Sequence, residues 1–362
     1  MQHHYDFIAI GGGSAGFNAA RAATRYATRV AIIDGARELG GLCILRGCMP
    51  SKTLIHTADV LHHARHGAVL GLEIPQATAD MRAVLARKRR IIGEFADFRK
   101  QQLDSGKFTL IRAQAHFVGP NRLELSDGSL VTADRILIGT GSRVSWPLIP
   151  GLRESKPWTS DDVLDLDFLP ESVIVLGGGV VACELAQYLA RMGTKVIQIQ
   201  RSEHVLKENS TDASAAVARA LRADGIELFS CTRLDSVAYD GAEFVVTFRH
   251  DGREVVRRAR HCLNALGRDP DTALLGLAAA GIELKPTGHI RTNEFQQTTN
   301  PAVYAAGDGA GPHEIVHVAI QQAEVAVKHA YGQTVDPVDS GTRLSVVFSD
   351  PQLATVGPTH QQ

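Results

Sequence analysis

Short apolar runs closed by glycine alternate along this chain with stretches of helical period, starting with Tyr5-Asp6-Phe7-Ile8-Ala9-Ile10. Such a run reads as a strand buried on both faces, the habit of parallel sheets. It passes directly into Gly11-Gly12-Gly13-Ser14-Ala15-Gly16, after which an alanine-rich helix is expected from Phe17 to Tyr26. A second strand, Arg29 to Ile33, leads to Asp34, 21 residues beyond Gly13. Strand, glycine turn, helix, strand and acid, in that order, make a dinucleotide-binding unit. Gly11 permits the tight turn, Gly13 lets backbone approach a pyrophosphate at the helix N-terminus, and Gly16 allows close helix-to-strand packing. Ser14 and Ala15 belong to the same phosphate-facing turn, and Asp34 is spaced to accept from ribose hydroxyls.

The pattern recurs further along. Ser172 to Leu176 reads as a strand, Gly177-Gly178-Gly179-Val180-Val181-Ala182 as the turn, and Glu184 to Arg191 as the helix. The strand Lys195 to Ile199 follows and leads to position 200, again 21 residues beyond the corresponding glycine, Gly179. Here the residue is Gln200, with Arg201 next and Lys207 six residues beyond Arg201. A carboxylate that would repel a 2′-phosphate is missing and cations that could bind one are near, so NADP(H) is favoured over NAD(H). Two copies of the device place the chain in the α/β class, with two Rossmann-like nucleotide-binding domains.

Composition narrows the rest. A chain of 362 residues exceeds what one core usually supports, and 44% hydrophobic with 21% charged residues is ordinary for a globular protein. Lys and Arg number 38 against 39 Asp and Glu, leaving neither a nucleic-acid footprint nor a polybasic membrane surface. Small molecules are the expected partners. The densest basic stretch, Ala86-Arg87-Lys88-Arg89-Arg90, reads as a solvated helix face. No signal segment opens the chain, no run approaches about 18 apolar residues, and five cysteines are too few for a secreted scaffold. A reducing cytoplasm is the expected compartment. Of those cysteines, Cys183 at a helix start and Cys231 and Cys262 in strand-like stretches are expected to be packed and inert.

The other two stand in Gly40-Gly41-Leu42-Cys43-Ile44-Leu45-Arg46-Gly47-Cys48-Met49-Pro50-Ser51-Lys52. In a straight helix, residues five apart are separated by about 7.5 Å of rise and point about 140° apart, poor geometry for a disulfide. A distorted backbone is therefore expected between Cys43 and Cys48. Two other uses of these cysteines compete on the residues alone. One is a metal site with His56, His62, His63 and His66, although CxxxxC is not a usual zinc spacing and helical histidines are mostly exposed bystanders. The other leaves them structural, in an NAD(P)H oxidase or quinone reductase.

The cysteine segment closely resembles the active-site signature of the pyridine nucleotide-disulfide oxidoreductases, the family of dihydrolipoamide dehydrogenase, mercuric reductase and glutathione reductase. Its Pro50-Ser51-Lys52 ending looks like that of the first two. Ile138-Gly139-Thr140-Gly141-Ser142 with Ile149-Pro150-Gly151 is similar to the family's crossover between domains, Ala265-Leu266-Gly267-Arg268-Asp269-Pro270 to the crossover back, and Val303-Tyr304-Ala305-Ala306-Gly307-Asp308 to a late flavin motif. The resemblance implies a discontinuous FAD domain, residues 1–146 and 270–339, with an NAD(P) domain at 147–269 inserted and the start of a dimerisation domain at 340–362.

It also implies roles. Cys48 would be the flavin-proximal thiolate and Cys43 the thiol that meets substrate, with Lys52 beside the flavin ring and Glu184 paired to Lys52. Asp308 would contact the ribityl chain, and Gly41, Leu42, Ala115, Thr140, Gly141, Ser142 and Val316 would complete the FAD site. Val237, Gly267 and Arg268 would join Gly177, Gly179, Val180, Val181, Glu184, Gln200, Arg201 and Lys207 around the nicotinamide nucleotide. A plainer reading of Glu184 is an acid favoured in the first turn of a helix. The implied reaction carries hydride from NAD(P)H through flavin to the Cys43–Cys48 disulfide, then to a small-molecule disulfide, a dithiol couple or a thiophilic metal. Arg343 to Phe348 and the motif Ser349-Asp350-Pro351-Gln352-Leu353-Ala354-Thr355-Val356-Gly357 look like the opening of the interface domain. A homodimer is implied for chains carrying all of that domain, whose acid–base histidine and glutamate have no positions in this sequence; His317 is no substitute. The expectation is a shortened chain prone to aggregate.

Overall fold

A computed structural model describes residues 3–339, 341 and 343–357. The chain divides into two compact units, one of Met1–Leu45, Gly93–Arg143 and Arg268–Arg343, the other of Arg46–Ile92, Val144–Gly267 and Leu344–Gln362.

A seven-stranded sheet organises the first unit. Thr109–Ile111, Val30–Ile33, His3–Ile10 and Leu130–Ile138 lie side by side and parallel, and Val303–Ala305 pairs parallel with the end of Leu130–Ile138. Arg122–Leu125 and Ala115–Gly119 continue the sheet antiparallel. Side chains one apart on a strand point to opposite faces, and the core sorts accordingly. Phe7, Ala9, Val30, Ile32, Leu137 and Tyr304 face the helices Ser14–Ala23 and Val316–Ala330. Ile8, Ile10, Ala31, Ile33, Ile136, Ile138, Val303 and Ala305 face a second cluster with Leu275, Ile282 and Ile290. Because both faces are covered there, residues 7–10, 30–33 and 136–138 are apolar throughout, which is the pattern that announces these strands in the sequence.

The second unit holds a four-stranded parallel sheet in the order Glu227–Phe229, Lys195–Ile199, Ser172–Leu176, His261–Asn264. Val173, Val175, Val196 and Leu263 pack with residues of the helices Cys48–Arg65 and Val180–Met192, among them Leu54, Leu61, Leu185 and Leu189. On the opposite face Ile174, Leu176, Ile199 and Cys262 meet a three-stranded antiparallel sheet through Val237, Val246 and Phe248. A hairpin, Leu344–Val347 with Leu353–Val356, joins the first of these clusters through Val347 and Leu353. No helix among the described residues is long and apolar enough to cross a membrane.

Several expectations need correction. Both glycine-turn helices start earlier than the periodicity suggests, at Ser14 and Val180, because Gly13 and Gly179 themselves are the N-cap residues. Glu184 is thus the fifth residue of its helix, and the first turn contains no acid, so attraction to the helix dipole does not account for it. Cys231 is neither in a strand nor packed: it is exposed, on a bend with φ of 55°. Lys88 departs from its basic neighbours, being buried with its ammonium 2.6 Å from Asp165 Oδ1.

Candidate active site

The first glycine turn is stripped of side chains wherever backbone meets backbone. A Cβ on Gly11, whose φ is +98°, would lie 2.5 Å from the Gly139 carbonyl oxygen, and one on Gly16 only 1.8 Å from that of Gly11. Gly41, with φ of +79°, lies so close to Gly13 that a Cβ would approach its Cα to 2.6 Å. No side chain caps the helix Ser14–Ala23, leaving its N-terminal dipole open to an anion. Asp34 is buried, and its two oxygens accept the Gly12 N–H at 2.9 Å and the Ala36 N–H at 2.8 Å. Each oxygen retains a lone pair for a hydroxyl donor. These features fit the adenosine half of a dinucleotide.

Three distant stretches converge elsewhere in this unit. Ser142 Oγ donates to Asp308 Oδ2 at 2.6 Å and accepts from Arg268 Nε at 2.7 Å, while Arg268 Nη2 donates to the Ser142 carbonyl at 2.7 Å. Thr140 Oγ1 donates to the Asp271 carbonyl at 2.8 Å, Gly141 has φ of +74°, and Val316 opens its helix half-buried. Leu42 is exposed and Ala115 lies in the core of the sheet's edge strand.

Two cations here escape the sequence reading. Strand pairing of Ile33 with Ile111 carries Arg112 to within 3.9 Å of Asp34, a proximity that exists only once the sheet order is known. Arg99 lies 4.1 Å over the Phe17 ring, and its buried Nη1 has no hydrogen-bond partner among the described residues. Burial holds the Arg99 pKa below its ordinary value, Arg21 adds to that, and negative charge at Cys43 opposes it.

The second glycine turn repeats the device with a different outcome at its end. A Cβ on Gly177, with φ of +127°, would meet the Ala265 carbonyl oxygen at 2.2 Å, whereas one on Gly179 would meet nothing within 4 Å. The helix Val180–Met192 has no side-chain cap, and Val180 and Val181 are exposed at its mouth. Gln200 occupies the place of Asp34 but turns its buried amide back on its own loop, accepting the Ser202 N–H at 3.1 Å and donating to Ser230 Oγ at 3.1 Å. Arg201 is exposed, and Lys207, also exposed, lies 3.5 Å from Glu208. Gly267 has φ of +125° and open space around it. Val237 is in the core: its side chain packs in the apolar layer and its N–H donates to the Pro150 carbonyl at 2.9 Å.

Between the cysteines the helix breaks as their spacing requires. A short helix, Leu42–Arg46, ends before Gly47, whose φ of −135° and ψ of −118° are not helical, and Cys48 then opens a helix of 18 residues. Cys43 is half-buried and Cys48 exposed. One turn along, Lys52 Nζ lies 2.7 Å from Oε2 of buried Glu184. The other Glu184 oxygen accepts the Phe348 N–H at 2.9 Å, and the Phe348 ring centroid is 4.8 Å from Lys52 Nζ. By contrast, burial pushes the Cys183 thiol up to about 12 and raises that of Cys262 further still, so neither forms a thiolate readily. Among the described residues, the group spaced to hold a metal is His4 with Asp6 and Asp134, which includes neither cysteine of the pair nor any of His56, His62, His63 and His66.

Fold and turns together define a two-unit α/β protein with a glycine turn opening a helix in each unit and a cysteine at the head of a lysine-bearing helix. Residues 5–330 match the family model for pyridine nucleotide-disulphide oxidoreductases, and the chain belongs to that family. A mercuric reductase of Bacillus cereus is 34% identical over 361 residues, covering 99% of this chain and 57% of that protein. A dihydrolipoyl dehydrogenase of Bacillus subtilis is 30% identical over 361 residues, covering 98% of this chain and 77% of that protein. The fold is similar to that of the HOCl-induced flavoprotein disulfide reductase RclA from Escherichia coli, solved as a Cu(II) complex, with a TM-score of 0.85 at 25% identity over 98% of this chain and 78% of that one. This chain therefore spans 57% of the first relative's length and 66% of that of a second mercuric reductase, from Lysinibacillus sphaericus.

Proposed function

We propose that this chain is an FAD-dependent NAD(P)H:disulfide oxidoreductase in which Cys43 and Cys48 form the redox-active pair. The observation that carries this reading is the ion pair of buried Glu184 with half-buried Lys52, which stands one helical turn beyond Cys48. A sulfur at the first residue of a long helix, with an ammonium four residues along the same face, is in an environment that stabilises a thiolate. Glu184 holds the Lys52 ammonium at 2.7 Å, so that it is oriented and not merely present. FAD, when bound, supplies the two-electron relay between nicotinamide and disulfide.

Residues 1–146 and 270–339 are the proposed FAD domain; of these, 1–45, 93–143 and 270–339 lie in the first unit. Gly11, Gly13, Ser14, Ala15 and Gly16 would receive the pyrophosphate, Asp34 the adenosine ribose, and Asp308, held by Ser142 and Arg268, the ribityl chain. The second unit would bind the nicotinamide nucleotide at Gly177, Gly179, Val180 and Val181. An NADPH preference is supported by Gln200 standing where a carboxylate would repel phosphate, and by exposed Arg201 beside it; Lys207 shares its charge with Glu208. Reduced Cys43 would exchange with a disulfide or coordinate a thiophilic metal, and the oxidised pair would accept electrons from a dithiol; the names mercuric reductase and dihydrolipoyl dehydrogenase of two relatives support the metal and the dithiol.

Anaerobic titration with NADPH, and separately with NADH, tests the reading. The expected result is a long-wavelength absorption band on two-electron reduction, at lower NADPH than NADH concentration, absent in Cys48→Ser. Reduction of bound flavin without that band would favour an oxidase or quinone reductase with structural cysteines, and purified protein that binds no flavin would overturn the proposal.

A further inference from the structure

A single carboxylate sets the distance of a lysine ammonium but leaves its direction loose, because the side chain has four rotatable bonds. Lys52 is held from two sides. Its ammonium touches Glu184 Oε2 at 2.7 Å and lies 4.8 Å from the Phe348 ring centroid, inside the reach of about 6 Å over which a ring quadrupole attracts a cation. Glu184 Oε1 meanwhile accepts the Phe348 N–H at 2.9 Å, so the carboxylate positions both the lysine and the residue that covers it.

Phe348 is itself fixed. Asp350 N–H donates to Gln187 Oε1 at 2.8 Å, Gln187 Nε2 donates to the Asp350 carbonyl at 2.9 Å, and Arg191 Nη2 reaches Asp350 Oδ2 at 2.8 Å. Glu184, Gln187 and Arg191 are spaced three and four apart on one helix face and so read residues 348–350 in sequence. Buried Arg191 also pairs with Asp59 at 2.7 Å. Two ion pairs of opposite polarity, Lys52–Glu184 and Asp59–Arg191, thus join the same two helices seven residues apart on each, and the segment 348–350 is bonded at both.

From this we infer that Phe348 is a positioning residue for Lys52, and that the brace at residues 348–350 orients the ammonium. The functional consequence rests on the reading of Lys52 given above; the brace does not. A ring lost from over the ammonium leaves it more mobile and more exposed, and both raise its reactivity towards an acylating reagent.

The test is trace acetylation of purified protein with acetic anhydride at fixed pH, quantified at Lys52 by peptide mass spectrometry relative to exposed Lys195. In Phe348→Leu the relative rate at Lys52 should rise about three- to tenfold. Phe348→Tyr, which keeps an aromatic face, should restore it, and Asp350→Asn, which keeps the ring but weakens the Arg191 contact that fixes it, should give an intermediate rise. An unchanged rate in Phe348→Leu, or equal rises in the Leu and Tyr variants, overturns the inference. If Phe348→Leu does not fold, Asp350→Asn decides alone, and no rise overturns it. The midpoint potential of bound flavin in the same variants separates the two readings. A lower potential in Phe348→Leu than in Phe348→Tyr supports both, whereas a changed acetylation rate with an unchanged potential keeps the brace and removes Lys52 from the flavin's side.

Discussion

At the scale of single residues, burial and hydrogen bonding separate groups that composition treats alike. Five cysteines divide into one at a helix head, one half-buried, two with thiols raised by burial, and Cys231, exposed on a bend. Iodoacetamide should therefore label Cys231 in the folded protein while Cys183 and Cys262 label only after unfolding, which peptide mass spectrometry resolves. Asp6 shows the same dependence on partners. The Arg29 N–H, the Arg29 guanidinium and Thr28 hold its carboxyl down to about 2 from the ordinary value of 3.8, against an opposing effect of burial. A carboxyl depressed in the folded state stabilises the fold above its unfolded pKa and ceases to do so as pH falls through the folded one. The stability advantage of wild type over Asp6→Asn, roughly 1 kcal/mol after allowing for solvent screening at 23% side-chain exposure, should shrink between about pH 4 and pH 2. Urea unfolding at a series of pH values checks this, and an advantage independent of pH would refute it.

The two glycine turns carry the argument at the scale of elements. Each glycine in them has its own reason, and the reasons predict different failures. A Cβ at Gly16 collides with the Gly11 carbonyl, so Gly16→Ala should lower the thermal midpoint and abolish flavin retention together. Gly179 adopts φ of −81°, and a methyl group added there would meet nothing within 4 Å, so Gly179→Ala should leave the midpoint unchanged while NADPH affinity falls about tenfold or more. Thermal melts with and without nucleotide distinguish the two outcomes. The helix Cys48–Arg65 makes a related point: Leu54, Ile55, Ala58 and Leu61 form the stripe that seats it, and that seating sets where its first residue, Cys48, and Lys52 stand.

For the whole molecule, two copies of one device differ chiefly in the residue that ends the second strand, Asp34 in one unit and Gln200 in the other. The first turns its carboxylate onto its own glycine turn, the second folds its amide onto Ser202 and Ser230. On the proposed reading, nucleotide choice in the second unit would fall to Arg201 and its surroundings. Arg201→Ala should weaken NADPH binding about tenfold and leave NADH binding within about twofold, measured by calorimetry. Equal losses for both nucleotides would mean that Arg201 does not meet the 2′-phosphate.

Much of this protein is legible without coordinates because its signals are local. A two-faced parallel strand must be apolar throughout, a turn against a pyrophosphate must be glycine, and an acid one strand later stands at a fixed distance along the chain. The break between Cys43 and Cys48 is also legible, since helix geometry keeps residues five apart from facing one another. Where the helices begin is less so, because a glycine N-cap gives no apolar period to count. Tertiary structure alone decided what depends on residues far apart in sequence: Arg112 beside Asp34 through strand order, Arg268 on Ser142 and Ser142 on Asp308 through convergence of three strand ends, and Phe348 over Lys52 through the docking of a hairpin. The physical reason is that a local motif constrains neighbours by bond geometry, whereas a contact across 164 residues of chain, as between Phe348 and Glu184, exists only when hairpin and helix pack in one register.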